Sequence, residues 1–209
     1  MDRVITYGLE EDFIQNFSSL IEKEYLKEGR DLSSLAFVFG GKRPSLFLKK
    51  ELSAKIKKGF LPPRFFSIDE FIEYTLSKKE VFSKITDLDA SYIIYTLTQK
   101  LAPDILRGRE GFSQFLPWAR EILAFIEQLD FEDINIKSLK DIQLNAAIGY
   151  DVPENINTLL THIVLLRDAF ANVLVQKKAY PRGLMYLFAS RYVSQARFDE
   201  FDDIFFCNF

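Results

Sequence analysis

The sequence predicts an α/β fold: an incomplete parallel sheet of about four strands that carries a large all-helical insertion. Three observations support this prediction. The first eighty residues alternate short β-prone runs with segments of helical periodicity. The next hundred residues show helical periodicity alone, and a β-prone run, Ile204 to Cys207, follows near the end. Strands that alternate with helices form parallel sheets through right-handed crossovers. We therefore expect an α/β domain from residues 1–80 and 180–209, and a helical lobe from residues 81–179.

The composition bounds the class of protein. Hydrophobic residues make up 48% of the 209 positions, and 21 of them are Phe, so a substantial core is available. The net charge of −3 means that contact with nucleic acid must come from a local basic patch. With one Cys and one His, an internal disulfide and a zinc cluster are not expected. A signal peptide and a long apolar run are not evident, so we expect a cytoplasmic protein.

The β-prone runs of the first eighty residues are separated by helical segments. The run LAFVF, residues 35–39, is continuously apolar, which is typical of a strand covered on both faces. Ser67 and Glu70 have the spacing of a capping box that opens a helix. Pro44 lies where a first helical turn accepts proline. The expected order is strand 3–7, helix 10–27, strand 35–39, helix from Pro44 to Ile56 with Leu46 in its apolar stripe, strand 64–68, and a third helix.

The later part of the chain is expected to be helical up to its last strand. Apolar stripes at helical spacing begin near residues 90, 115, 156 and 184, and they indicate core packing. Trp118 is expected in that core, and His162 beside it. Ile204 to Cys207 is expected to be an inner strand beside the strands at 3–7 and 35–39. A sheet that stops there predicts the front part of a longer protein, whose exposed apolar edge would promote self-association.

The segment FVFGGKRPSLFLKKEL, residues 37–52, has the outline of a phosphate-binding strand–turn–helix. A P-loop needs G-x-x-x-x-G-K-[ST], but Ala36 stands at the first glycine and Arg43 at the hydroxyl position. The first turn is acidic, with Glu10, Glu11 and Asp12, and Asn208 stands where a magnesium carboxylate is needed. The sequence thus predicts the topology of a P-loop NTPase sheet without its nucleotide site. Catalytic residues, metal ligands, cofactors and ATP binding are not expected.

Residues 42–58 form the strongly basic segment of the chain, with seven cations against one acid, Glu51. Cations beside the free N–H groups of a helix start suit a phosphate. Two simpler interpretations remain open, a solvated basic turn and a solubilising helix face. Phe65 and Phe66 could stack on bases, but buried strand positions are favoured for them. The candidate DNA-binding residues are Lys42, Arg43, Lys49, Lys50 and Lys55.

Several segments, in order along the chain, resemble the N-terminal region of AddB-type proteins, the subunit of the bacterial AddAB helicase–nuclease. FVFGGKRPSLFLKKEL resembles the family's strand–helix segment near the second strand, and FLPPRFFSIDEF resembles the segment that follows it. FSQFLPWAREILAFIEQLDFEDI resembles the family's F-x-x-W helix. AYPRGLMYLFASRY and DDIFFCNF resemble its Y-x-G-x-x-Y helix and its following strand. The chain departs from the pattern at Gly40-Gly41 and at Asn208.

The resemblance implies a superfamily I helicase fold that has lost its ATPase motifs. It implies that Lys42 and Arg43 lie where such helicases contact single-stranded DNA. The expected partners are single-stranded or duplex-end DNA and an AddA-type helicase–nuclease subunit. Family members continue to a PD-(D/E)XK nuclease domain with an iron–sulfur cluster, and neither motif set is recognisable here. The expected function is a non-catalytic helicase-like domain of a DNA double-strand-break repair exonuclease. The alternatives are a small α/β enzyme with an unidentified substrate site and a purely structural partner-docking domain. A membrane partner is not expected.

Overall fold

The structure, a computed structural model, describes residues 4–57, 59–135 and 154–207. The chain divides into two compact units. Unit 1 comprises Met1–Tyr74 and Ala196–Phe209, and unit 2 comprises Thr75–Gln195. These boundaries lie at residues 74/75 and 195/196, whereas the sequence placed them near 80 and 180.

Five strands lie within the described residues: β1 (Leu35–Phe39), β2 (Arg64–Ser67), β3 (Ser83–Lys84), β4 (Ala179–Tyr180) and β5 (Asp203–Cys207). The α-helices are α1 (Phe13–Ile21), α2 (Lys42–Ile56), α3 (Ile68–Ser77), α4 (Asp87–Leu101), α5 (Phe112–Phe131), α6 (Glu154–Lys177) and α7 (Arg182–Tyr192). The expected α/β class with a parallel sheet and many helices is therefore confirmed at this coarse level.

The sheet of unit 1 has the order β2-β1-β5, and both pairs of strands are parallel. Phe37 on β1 lies level with Phe65 on β2 and Phe205 on β5. All five residues of β1 are buried, as the continuous apolar run predicted. On one face, Phe37, Phe39 and Cys207 pack with apolar residues of α1 and α2. On the other face, Val38 and Phe66 pack against Phe71 of α3.

Two expectations about this sheet are wrong. Residues 4–7 form no strand, and Val4 is 90% exposed. The run was expected to pair with β5, whose other edge has no strand neighbour among the described residues, but Val4 and Ile5 are exposed and gain no packing, and β propensity without such packing forms no strand. The parallel pairing of β5 with β1 is confirmed, but β5 has one strand neighbour among the described residues instead of two. The main sheet accordingly has three strands there instead of four.

Side-chain hydrogen bonds define the start of α1 and hold the start of β5. Asp12 caps α1 by accepting a hydrogen bond from the Gln15 N–H at 3.0 Å. α1 continues into a π-helical segment, Glu22–Leu26, in which the buried Tyr25 donates its hydroxyl to Asp203 Oδ2 at 2.7 Å. This bond links the start of β5 to the helix that covers the sheet.

Unit 2 consists mainly of helices α4 to α7, as the periodicity predicted. Its described residues also contain a two-residue parallel bridge between β3 and β4. Gly183 at the start of α7 lies directly against α5, because a Cβ atom at this position would be 3.0 Å from the Glu127 carbonyl oxygen. A glycine is therefore required for the close approach of α7 and α5.

A buried ion pair joins α6 to the end of α5. Arg167 donates to Asp130 Oδ1 from Nε at 3.0 Å and from Nη2 at 2.8 Å. The same guanidinium donates to the carbonyls of Ile134 at 2.6 Å and Leu129 at 3.3 Å. Arg167 thus pairs a buried carboxylate and also supplies donors to backbone carbonyls at the end of α5.

Part of α6, Thr158–Lys177, is long and apolar enough to span a membrane by length and composition, which corrects the expectation that the sequence has no such run. One such helix is weak evidence, because the core helix of a soluble protein has the same composition. Its Arg167 is buried and paired with Asp130, and the stretch packs against α4 and α5. About 33% of the apolar stretch is buried, so these contacts pack it in part within unit 2.

Candidate nucleic-acid interface

The connection between β1 and α2 consists of Gly40 and Gly41. Gly41 is the N-cap of α2 and has extended backbone, with φ −153° and ψ 176°. Neither glycine has a positive φ, and an added Cβ at either would meet no atom within 4 Å, so neither the backbone conformation nor close packing requires glycine here. A side-chain cap at the start of α2 is absent from the described residues. The first N–H groups of this helix are therefore uncapped by a side chain.

The expected capping box at the start of α3 is confirmed, and it reaches α2. The Ser67 N–H donates to Glu70 Oε2 at 2.8 Å, and the Glu70 N–H donates to Ser67 Oγ at 3.3 Å. The other oxygen of Glu70 pairs with Lys42 Nζ at 2.8 Å. The hydrogen bond from Lys42, followed by the bond from the Ser67 N–H, lowers the pKa of the Glu70 carboxyl to about 2. A carboxylate thus stays ionised beside the start of α2.

Three of the five candidate DNA-binding residues already have partners within unit 1. Lys42 pairs with Glu70, and Lys55 Nζ pairs with Glu22 Oε2 at 3.2 Å and with Ser19 Oγ at 2.9 Å. Lys49 Nζ lies 4.6 Å from the centre of the Phe65 ring. A phosphate would have to compete with these contacts, most strongly at Lys55, whose side chain is only 24% exposed.

Arg43 and Lys50 differ from these three. Both side chains are exposed, and in the described part of the chain neither makes an ion pair, a hydrogen bond or a ring contact. Seven residues make about two helical turns, so the two cations lie on one face, about 10.5 Å apart along the axis. Lys57, also exposed, continues this line at the end of the helix. Lys58 lies outside the described residues.

The face that carries Arg43 and Lys50 also carries exposed apolar side chains. Leu46 is 63% exposed and Phe47 is 56% exposed. The helical spacing predicts Leu46 in the apolar stripe of α2, and the structure corrects this. Ser45, Leu48 and Leu52, at spacings of three and four, form the buried face of α2, and Leu46 points away from them. The alternation of spacings three and four could have identified this from the sequence.

Other sequence-selected residues fall outside this surface. Phe66 is buried, as expected, while Phe65 is half-buried beneath Lys49. Trp118 is not a core residue: it is 43% exposed, and the Arg109 guanidinium lies 4.4 Å from its ring centre. His162 is half-buried, with Nε2 3.9 Å from Asp104 Oδ2.

The backbone at Ala36 is part of a paired strand and does not form a phosphate-binding loop. Ala36 stands at the first glycine of a P-loop, but it lies inside β1 and is fully buried. The backbone that would wrap a phosphate in a P-loop is here paired with its two neighbouring strands. Asn208 lies outside the described residues. Within those residues, clusters of three His, Cys, Asp or Glu side chains suited to a metal ion are absent.

Comparison with known proteins found no matching family model and no matching curated protein.

Proposed function

We propose that this chain is a non-catalytic, helicase-like module that binds single-stranded DNA through the outward face of α2. In this proposal, the sheet of unit 1 is a P-loop NTPase-like sheet that has lost its nucleotide site, and unit 2 is a helical insertion. The resemblance to AddB-type proteins supports the proposal that the module belongs to a cytoplasmic DNA double-strand-break repair exonuclease with an AddA-type subunit as partner. The catalytic steps would belong to other parts of that assembly.

One observation carries the proposal: Arg43 and Lys50 are exposed cations on one face of α2, and neither has a partner among the described residues. Exposed cations attract the phosphate backbone and release its counterions, and this supplies affinity without sequence preference. The uncapped start of α2 adds backbone N–H donors and the positive end of the helix dipole. The Glu70 carboxylate opposes an anion at that start, so we assign the main contacts to Arg43 and Lys50 rather than to Lys42.

The experiment is a titration of labelled oligo-dT with the protein, compared with the variant Arg43→Gln/Lys50→Gln. Each phosphate contact on a single strand contributes about 0.7 to the slope of log K against log salt. Two lost contacts should therefore weaken binding about 25-fold at about 0.1 M monovalent salt.

The matched control is Lys23→Gln/Lys27→Gln, which removes the same charge from the same unit. Both lysines are exposed on the π-helical segment or its cap, and neither has a partner among the described residues. The control should bind as the parent does. Equal loss of affinity in both variants would show that only the net charge of the protein matters, which contradicts specific contacts by Arg43 and Lys50. Absence of binding by the parent would reject the proposal.

The competing enzyme interpretation is tested with ATP and magnesium in a calorimetric titration. The proposal expects no binding in the useful range, because Ala36 and Arg43 replace the phosphate-binding groups. A dissociation constant below about 100 μM, or about −5.5 kcal/mol, would contradict it.

A further inference from the structure

We propose that Phe47 is a stacking platform for an unpaired base, and that it makes the outward face of α2 selective for single strands over duplex. This inference rests on the proposed function and adds a residue that the basic segment did not identify. The surface consists of Arg43, Leu46, Phe47 and Lys50, and it is called the α2 outer face below.

Phe47 differs from the other exposed aromatic residues in the described part of the chain. Trp118 lies beneath the Arg109 guanidinium, whereas Tyr92, Phe131 and Phe206 each contact another ring. Phe47 has neither a ring contact nor a cation contact, although 56% of it is exposed. An exposed aromatic ring without a ring or cation partner leaves ring surface available to a planar ligand.

The neighbours of Phe47 identify the chemistry of that ligand. Arg43 precedes Phe47 by four residues and Lys50 follows it by three, so both cations flank the ring on the helix surface. Their separation of about 10.5 Å along the axis corresponds to about three stacked nucleotides at 3.4 Å per residue of one strand. A flexible polyanion with exposed planar groups complements cations that flank an aromatic ring. A duplex keeps its bases stacked on each other, so it could use the cations but not the ring.

The simplest variant is Phe47→Leu, which keeps an apolar side chain of similar size but removes the ring. The position is exposed, so the fold should tolerate the change. We expect oligo-dT binding to weaken about tenfold, because stacking of a base on an aromatic side chain is typically lost on this scale. The slope of log K against log salt should stay unchanged, because no cation is removed. Phe47→Trp should retain or improve the affinity.

The comparison of ligands and variants gives distinct outcomes. Duplex DNA of equal length should bind the parent and Phe47→Leu equally. Equal oligo-dT binding by the parent and Phe47→Leu would overturn the inference while leaving the role of Arg43 and Lys50 intact. Absence of oligo-dT binding by the parent would reject both proposals. Sedimentation of the two proteins covers the remaining case: if Phe47→Leu abolishes self-association and spares DNA binding, the α2 outer face is a protein interface and the inference is wrong.

Discussion

The buried pair of Arg167 and Asp130 should control the stability of unit 2. In the variant Arg167→Met, the carboxylate of Asp130 stays buried and loses its counter-ion. Removal of one partner of a buried ion pair typically costs about 3–5 kcal/mol. The Ile134 carbonyl loses its 2.6 Å donor as well, whereas the Leu129 carbonyl still accepts from the Ile134 N–H at 2.9 Å. We therefore expect Arg167→Met to lower the free energy of unfolding by about 3–5 kcal/mol.

The double variant Asp130→Leu/Arg167→Met tests whether the loss of stability comes from the unpaired charge of Asp130 or from the loss of the Arg167 side chain itself. Apolar replacement of both partners removes the buried charges together, which is often neutral or stabilising by about 1–4 kcal/mol. The carbonyl of Ile134 remains without its donor, and the about 1–3 kcal/mol cost of an unsatisfied buried group is an upper limit for this half-buried residue. These two effects are of similar size, so the double variant should lie within about 1–2 kcal/mol of the parent.

Trp118 makes the measurement specific to unit 2, because it is the single Trp of the sequence and lies in α5. Urea unfolding followed by Trp fluorescence should give a much lower midpoint for Arg167→Met than for the double variant. A cost below about 1 kcal/mol for the single variant would refute the account of a buried, uncompensated carboxylate. A double variant as unstable as the single variant would show that the guanidinium acts mainly through the backbone carbonyls.

Three further predictions concern other residues. The carboxyl pKa of Glu70 is about 2 in the folded state and lies below its ordinary 4.5, so the ionised Glu70 should stabilise the fold above pH 4.5, and this stabilisation should be lost as the pH falls toward 2. Lys42→Met should move this pKa toward 4.5 in an NMR titration, and an unmoved pKa would contradict the assigned cause. Gly183→Ala should destabilise the protein by about 1–3 kcal/mol through overpacking, whereas the exposed Ser190→Ala on the same helix should change unfolding by less than about 0.5 kcal/mol. Burial raises the pKa of the Cys207 thiol to about 12, so the thiol should resist alkylation at pH 8 until β5 leaves the sheet; rapid labelling of the native protein would show that β5 is not stably paired.

The parts of the fold that local chemistry determines could be predicted from the sequence. The capping box of Ser67 and Glu70 depends on a spacing of three residues, and the structure contains both of its hydrogen bonds. The fully buried β1 followed from its continuous apolar run, and the long helix α6 followed from its periodicity.

Long-range arrangements could not be predicted in this way. The run at residues 3–7 has β propensity, but its described residues 4–7 pair with no strand although β5 has one strand neighbour, and sequence alone does not reveal which strands pair. The partner of Lys55 is on α1, and the buried partner of Arg167 is on another helix, so neither pairing has a spacing signal. Within the basic segment, these pairings decide which cations remain free for a ligand. The exposed Phe47 was missed because an apolar residue in a helix is ordinarily a core residue.

The salt dependence of oligo-dT binding decides whether Arg43 and Lys50 contact the phosphate backbone. The affinities of the parent and of Arg43→Gln/Lys50→Gln are measured from about 0.05 to about 0.2 M monovalent salt, and log K is plotted against log salt. The account predicts a slope that is shallower by about 1.4 in the variant, because two phosphate contacts of about 0.7 each are lost. Parallel lines for the two proteins would contradict it, since they would show that Arg43 and Lys50 do not contact the phosphate backbone.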